Sequence, residues 1–252
     1  MSSPPIIHIE KLYKQYKEAT TFAIHNLNLA IDQGEIYGLL GPNGAGKTSL
    51  IAMLCGLLSP TSGSMTLMGW NYGQQPRAIK SNIGVVPQEY ALYPTLTARE
   101  NLMYFGSMYG LKGKILKERV THSLEVLGLT AFADKRVETF SGGMKRRVNL
   151  IAGVLHQPKL LFLDEPTVGV DVQSKTAIIQ FLQQLNALGT TIIYTSHHLV
   201  EAQEFCTKIG IIDQGQLFVQ GTPNELIAQT AGAKNLEDVF LSVTGKTLRD
   251  VV

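Results

Sequence analysis

The chain has 252 residues, 44% of them apolar and 17% charged, with a formal net charge of +2. That is enough apolar material for a sizeable buried core, and it is unlike the composition of a disordered chain. The near-neutral charge, with basic residues spread along the sequence, leaves no electrostatic footprint for nucleic acid, so none is expected as a partner. The two cysteines, Cys55 and Cys206, lack metal-ligand spacing and are too few for a disulfide framework, which fits a reducing cytoplasm.

In chain order, Met1 to Glu10 has neither a positive opening segment nor a long apolar one, so no secretory signal is expected. Leu27, Leu29 and Ile31 alternate with Asn26, Asn28 and Ala30, which predicts a strand buried on one face and a small antiparallel layer flanking the main sheet. Apolar runs at Ile36 to Leu40, Ile83 to Val86, Leu160 to Leu163, Thr191 to Tyr194 and Ile209 to Ile212 predict buried strands. Most precede helical patterns, so the expected fold is α/β, with a mainly parallel sheet covered by helices.

From about Glu89 to Gln157 the alternation gives way to successive helices, with Leu116, Val120, Leu124 and Leu127 on one face and no clear strand, which predicts a helical insertion. Further on, Ile178, Phe181, Leu182, Leu185 and Leu188 fall at helical spacing. Thr222, Pro223 and Glu225 occupy the cap, first position and capping-box acid of another helix. Leu236, Val239, Phe240 and Val243 then form a stripe that ends at Gly245, a short docked helix. No run approaches the roughly 18 to 20 apolar residues that cross a bilayer.

The run Gly41, Pro42, Asn43, Gly44, Ala45, Gly46, Lys47, Thr48 fits the eight-position phosphate loop, between a predicted strand and a helix-forming stretch entered through Ser49. Its glycines let successive N–H groups and the following helix N-terminus face phosphate oxygens. Lys47 is expected to reach the β and γ phosphates, and the Thr48 hydroxyl to meet Mg²⁺. The bland alternative is a glycine-rich turn with an exposed lysine; the flanking strand and helix weigh against it.

Leu160 to Leu163 delivers Asp164 and Glu165 to the carboxyl edge of a buried strand, where open α/β sheets bind ligands. Asp164 is suited to hold Mg²⁺ directly or through water, and Glu165 to polarise a water attacking the γ-phosphate. The alternative is that both acids cap the next helix. Between the two sites, Ser141, Gly142 and Gly143 open a helix whose first turns carry Lys145, Arg146 and Arg147, although the helix dipole disfavours cations there. A bound anion would relieve that conflict, and a solvated basic face is the plain alternative.

The segment Phe140 to Arg147 resembles the signature motif of ABC transporter ATPases, and the resemblance extends from about Ile6 to Leu248. It implies a P-loop NTPase core, with ATP and Mg²⁺ as ligands. Residue by residue, Gln88 resembles the Q-loop glutamine beside the metal, and Asp171, after Pro166 to Val170, resembles the D-loop aspartate. His197 resembles the switch histidine; it is preferred to His198 because Glu201 and Ala202 follow it at the family's spacing. Tyr16 stands where the family stacks adenine on an aromatic ring, though Tyr13 competes and both have the alternative of packing the small sheet.

The match has departures. Met144 replaces glutamine and Phe140 leucine in the signature, while Val170 and Val172 replace leucine and proline and should mainly adjust packing. Met144, the segment Tyr93 to Asn101 and the tail Asn235 to Gly245 look like the drug and polysaccharide export branch.

The resemblance further implies that two subunits pair head to tail, as homodimer or heterodimer. Ser141, Gly142, Gly143 and Asp171 of one would then close over ATP held by the other. It implies a separate integral membrane permease, with the chain peripheral on the cytoplasmic face of the membrane. Residues 1–252 are expected as a single ATPase domain: 1–88 and 158–221 form the core with its β layer, 89–157 a helical subdomain, and 222–252 a C-terminal helical tail. An importer subunit shares all the core motifs, and a soluble non-transport ATPase of the same type is the other alternative.

Overall fold

Runs of apolar residues with no polar face form strands covered on both sides, and that rule organises the chain. The structure, a computed structural model, describes residues 4–245. In chain order come β1 (Ile7–Lys14), β2 (Ile24–Ile31), β3 (Ile36–Leu40), α1 (Lys47–Leu54), β4 (Ser62–Leu67), α2 (Pro76–Asn82) and β5 (Ile83–Val86). Then follow α3 (Ala98–Met108), α4 (Gly113–Val126), two 3-10 turns (Thr130–Phe132 and Val137–Thr139), α5 (Gly142–Val154), β6 (Leu160–Asp164) and α6 (Val172–Ala187). The remainder is β7 (Thr191–Thr195), α7 (Leu199–Phe205), β8 (Lys208–Asp213), β9 (Gln216–Gly221), α8 (Pro223–Gln229) and α9 (Leu236–Thr244). Two compact units form, Met1–Lys80 with Thr191–Val252, and Ser81–Thr190.

In the first unit β1 is the middle strand of an antiparallel layer, with Ile9 opposite Leu29 of β2 and Ile7 opposite Leu67 of β4. Ile7, Ile9, Leu12, Leu27, Leu29 and Ile31 are all buried, and the period of two read in β2 gives this layer one apolar face. In a second set of strands, β3 runs parallel to β7 on one side and to β8 on the other, Leu39 lying opposite both Thr195 and Gly210. Every residue of β3 and β7 is buried. β9, absent from the sequence expectations, adds antiparallel to β8 through a turn at Gln214 and Gly215, both at positive φ, the geometry that suits a tight hairpin.

Helix ends follow their local chemistry. At α8 the Thr222 hydroxyl accepts from the Glu225 N–H at 3.2 Å, and the Glu225 carboxylate accepts from the Thr222 N–H at 2.8 Å. Asn235 caps α9, Gly245 ends it in the left-handed conformation, and Leu236, Val239 and Phe240 are buried with Val243 half-buried. The Leu236 N–H donates to Gln203 Oε1 of α7 at 2.8 Å, which ties the tail helix down.

In the second unit β5 and β6 pair in parallel, Val86 opposite Leu163. Residues 89–157 hold α3, α4, the 3-10 turns and α5, with Leu116, Val120, Leu124 and Leu127 all buried. One stripe residue departs from expectation: Leu188 follows α6 as its C-terminal cap and is 84% exposed, because the helix ends before bringing it round to the covered face. Among the described residues no helix is long and apolar enough to cross a membrane.

Candidate functional site

In the first unit the chain leaves β3 at Leu40, winds through Gly41 to Gly46 and enters α1. Gly46, at φ 106°, caps α1 with no side-chain hydrogen bond, and no acid occupies the first turn. This helix start therefore presents its N–H groups and dipole to an anion without internal competition from a side chain. Gly41 allows close approach of the loop to β8, since a Cβ there would lie 2.1 Å from the Ile212 carbonyl oxygen. Pro42 and Ala45 are buried, whereas Asn43, Gly44 and Thr48 are exposed. Lys47 Nζ folds back across the loop, donating to the Gly41 carbonyl at 2.7 Å and the Pro42 carbonyl at 3.0 Å.

Tyr16 lies beside this helix start, its hydroxyl 3.0 Å from Ser49 Oγ and the residue 46% exposed. Tyr13 is instead engaged edge-on with Phe22 and His25 at ring separations of 5.7 and 5.4 Å. Of the two candidates, Tyr16 is the one beside the phosphate loop, with the Lys14 ammonium 5.4 Å from its ring centroid. His197, half-buried, follows β7 by two residues, and β7 is the parallel neighbour of β3. The phosphate loop and His197 thus leave the same carboxyl edge of adjacent strands, where α/β sheets gather ligands. His198 is exposed and serves as the backbone cap of α7.

The second unit repeats that logic. Gln88 lies two residues beyond β5, Asp164 ends its parallel neighbour β6, and Glu165 follows. Gln88 Nε2 donates to Glu165 Oε2 at 3.0 Å. Glu165 has φ 48°, a left-handed conformation that costs a non-glycine residue about 1–3 kcal/mol. Neither acid caps the next helix. Asp171 caps α6, its carboxylate accepting from the Ser174 N–H and the Ser174 hydroxyl, each at 2.8 Å. Those bonds from Ser174 hold the Asp171 carboxyl below the ordinary carboxylate range.

Ser141 caps α5, its hydroxyl accepting from the Met144 N–H at 3.3 Å, and both Ser141 and Gly142 are exposed. Gly143 packs on the Asp171 cap, where a Cβ would come within 2.8 Å of Asp171 Oδ2 and 2.4 Å of Ser174 Oγ. The signature turn and the D-loop aspartate therefore meet inside this unit. Of the three cations behind them, the two arginines are held by carbonyls of the unit and do not form a solvated basic face. Arg146 is 4% exposed and donates to carbonyls of Gln88 at 2.6 Å, Val168 at 3.4 Å and Pro87 at 3.5 Å. Arg147 donates to Leu127 at 2.8 Å and Gly143 at 3.3 Å. Carbonyl oxygens of the same unit thus take the arginine charge, and neither arginine belongs to a solvated face. Burial pushes the Arg146 guanidinium down, opposed by the nearby Tyr90, Glu165 and Asp164.

Val172 corrects a smaller expectation: it is 81% exposed at the first position of α6, so it adjusts no packing within the described chain. Three participants escaped the sequence reading. The Tyr90 hydroxyl donates to the Gly142 carbonyl at 3.3 Å. Asn149 accepts from the Ala91 N–H at 3.1 Å and donates to the Pro87 carbonyl at 3.3 Å. Ser174 holds Asp171; its place three residues after an aspartate was the one legible signal.

The donors present suit a magnesium nucleotide. In the first unit the loop offers N–H groups, the Lys47 ammonium and the Thr48 hydroxyl; in the second, taken by itself, Gln88 and Asp164 carry hard oxygens of the kind Mg²⁺ takes.

A family model described as ABC transporter matches residues 24–168. "Linearmycin resistance ATP-binding protein LnrL" of Bacillus subtilis (strain 168) is 47% identical over 227 residues, 90% of this chain and 72% of that protein. "Nod factor export ATP-binding protein I" of Paraburkholderia xenovorans (strain LB400) is 38% identical, covering 92% of this chain and 75% of that protein. "Probable multidrug ABC transporter ATP-binding protein YbhF" of Escherichia coli (strain K12) is 36% identical over 94% of this chain, which spans only 41% of that protein. Among solved structures, an ATP-binding subunit of an ABC transporter has a TM-score of 0.87 at 25% identity, covering 95% of this chain and 99% of that one. The dimeric post-hydrolysis cassette MJ0796, bound to ADP and Pi, has a TM-score of 0.76 at 26% identity, covering 86% of this chain and 98% of that one.

Proposed function

Because the chain belongs to the ABC transporter family as an ATP-binding ATPase subunit, we propose that two such cassettes trap two MgATP between them and drive export through a separate membrane permease. In this reading the loop Gly41 to Ser49 holds the phosphates, with Lys47 on the β and γ oxygens and Tyr16 against the adenine. Thr48, Gln88 and Asp164 would hold Mg²⁺ together with the nucleotide, and the ion would supply charge neutralisation on the phosphates. Glu165 takes the proton of the attacking water, Gln88 orients that carboxylate, and His197 donates to the γ-phosphate. Ser141, Gly142, Gly143 and Asp171 act on the partner's nucleotide.

The observation that carries this reading is the exposed start of α5. Ser141 and Gly142 are exposed at the start of a helix of 13 residues, a terminus whose N–H groups and dipole suit an anion brought by a partner. Since ATP touches both partners only when they are closed, its binding energy differs between open and closed states, as a nucleotide-driven switch requires. Export is supported by the naming of the Nod factor relative, and dimerisation by the dimeric cassette. The permease and a site of action on the cytoplasmic face go with membership of a transporter family.

Complementation tests the composite site. Lys47→Ala spoils the phosphate loop and Ser141→Arg the signature, so each variant alone should be inactive. Mixed together they should regain hydrolysis, because one of the two sites in the mixed dimer is intact. No recovery on mixing, with both variants folded and the wild type active, would exclude the head-to-tail arrangement. Direction is read in inverted membrane vesicles carrying the permease: ATP-driven uptake marks export, and ATP-driven loss from preloaded vesicles marks import.

A further inference from the structure

We propose that Arg146 is a positioning residue for hydrolysis: through the Gln88 carbonyl it fixes the backbone from which the Gln88 amide reaches Glu165, and it ties that contact to the signature turn. The inference rests on the ATPase reading above and adds a residue to it. Its shortest contact is the 2.6 Å bond from Nη1 to the Gln88 carbonyl, while the Gln88 side chain donates to Glu165 Oε2 at 3.0 Å. One residue thus joins the buried arginine to the proposed catalytic carboxylate.

Two further contacts give the link its span. Nη2 reaches the Val168 carbonyl, three residues after Glu165, at 3.4 Å. The guanidinium lies 4.9 Å from the Tyr90 ring centroid, and the Tyr90 hydroxyl donates to the Gly142 carbonyl at 3.3 Å. One turn along α5, Asn149 holds Pro87 and Ala91, so a single helix face grips the segment from both ends of Gln88. A shift of α5 is passed to the Gln88 backbone through these bonds, and from there to the amide facing Glu165.

Stability alone is a poor reason for an arginine here. Its Nε is buried with no hydrogen-bond partner among the described residues, and a buried, incompletely satisfied cation is weak as a stabilising device. Lysine retains the charge but lacks the planar fork that spans two carbonyls while lying on a ring. Arg146→Lys therefore separates charge from geometry.

The first readout needs no turnover. In nucleotide-free chain labelled with ¹⁵N-glutamine, the Gln88 side-chain amide signal is identified by its loss in Gln88→Ala. Arg146→Lys should move it, while the amide signals of Gln180, Gln183 and Gln184, distant in sequence, stay in place. The second readout is kinetic. Arg146→Lys should lower kcat about 10- to 100-fold, the scale of a misplacement near 1 Å, with KM for ATP nearly unchanged. In a Gln88→Ala background the same change should cost less than about twofold, because the residue through which it acts is gone.

An unmoved Gln88 signal overturns the proposal, as does an equal fold-loss in both backgrounds or a rise in KM with kcat intact. If Arg146→Lys does not fold, Arg146→Gln is judged by the same readouts. A wild-type chain that hydrolyses no ATP would count against the ATPase reading instead, and the amide signal would still decide the positioning.

Discussion

Alanine at Gly46 and at Gly44 should differ in stability by an amount the structure fixes. Both glycines lie at positive φ, 106° and 78°. A Cβ on Gly44 meets nothing within 4 Å, whereas one on Gly46 would stand 2.4 Å from the Ala23 carbonyl oxygen and 2.9 Å from Ile24 Cδ1. Each alanine bears the left-handed backbone penalty, about 1–2 kcal/mol. Only Gly46→Ala must also displace a backbone oxygen, an overpacking cost of about 1–3 kcal/mol. The expected losses are therefore about 1–2 kcal/mol for Gly44→Ala and about 2–5 kcal/mol for Gly46→Ala, a large share of a total stability near 5–15 kcal/mol. Trp70, the one tryptophan, belongs to the same unit, so its fluorescence during urea unfolding reports the region concerned. Equal losses in the two variants would refute the close approach of Ala23 to the loop.

Glu165→Gln removes the proton acceptor while keeping a group of the same shape; single-turnover hydrolysis should slow by about 10²- to 10⁴-fold with nucleotide still bound, and a normal rate would relieve Glu165 of its role. Tyr16→Ala should weaken ATP binding in calorimetry by about 1–3 kcal/mol, the worth of one base-stacking contact, and Tyr13→Ala should leave it nearly unchanged; equal effects would contradict the assignment. His156, its Nε2 2.8 Å from the Ile83 carbonyl oxygen, has its pKa lowered chiefly by burial. The unfolded chain therefore binds the proton more readily. The His156 contribution should be complete above about pH 6.5 and shrink as the pH falls below it, so His156→Leu should flatten the acid side of the stability profile; an unchanged profile would show that His156 does not control it.

Strands β3, β5, β6, β7 and β8 were legible because each is a short apolar run with almost no exposed residue, and β2 because it alternates; no long-range knowledge is needed to recognise either, whereas β1 and β4 carried no such signal. The cap at Thr222 was equally local. β9 was not legible: its residues are exposed or half-buried, and Phe218 is 48% exposed, so it lacks the signal that revealed its neighbours. The same distinction holds at the site. The phosphate loop is contiguous, so spacing alone exposed it, and the resemblance supplied Gln88, Asp171 and His197. The clasp of Arg146, Tyr90 and Asn149 joins α5 to residues 87–91, nearly sixty positions earlier in the case of Arg146 and Gln88. From sequence Arg146 was one cation in a basic triplet. Only tertiary packing turns it inward, against the usual tendency of arginine to remain wet.

Glu165 combines two demands that favour different amino acids. The left-handed backbone at φ 48° favours glycine or asparagine, whereas proton transfer requires a carboxylate. In a lineage that keeps the fold but abandons turnover, the second demand vanishes and the first remains. Position 165 should then be among the earliest to drift, and towards glycine or asparagine rather than at random. A library randomised at this codon and sorted only for soluble expression would reproduce that history in the laboratory, and growth dependent on pumping would pull it back to glutamate.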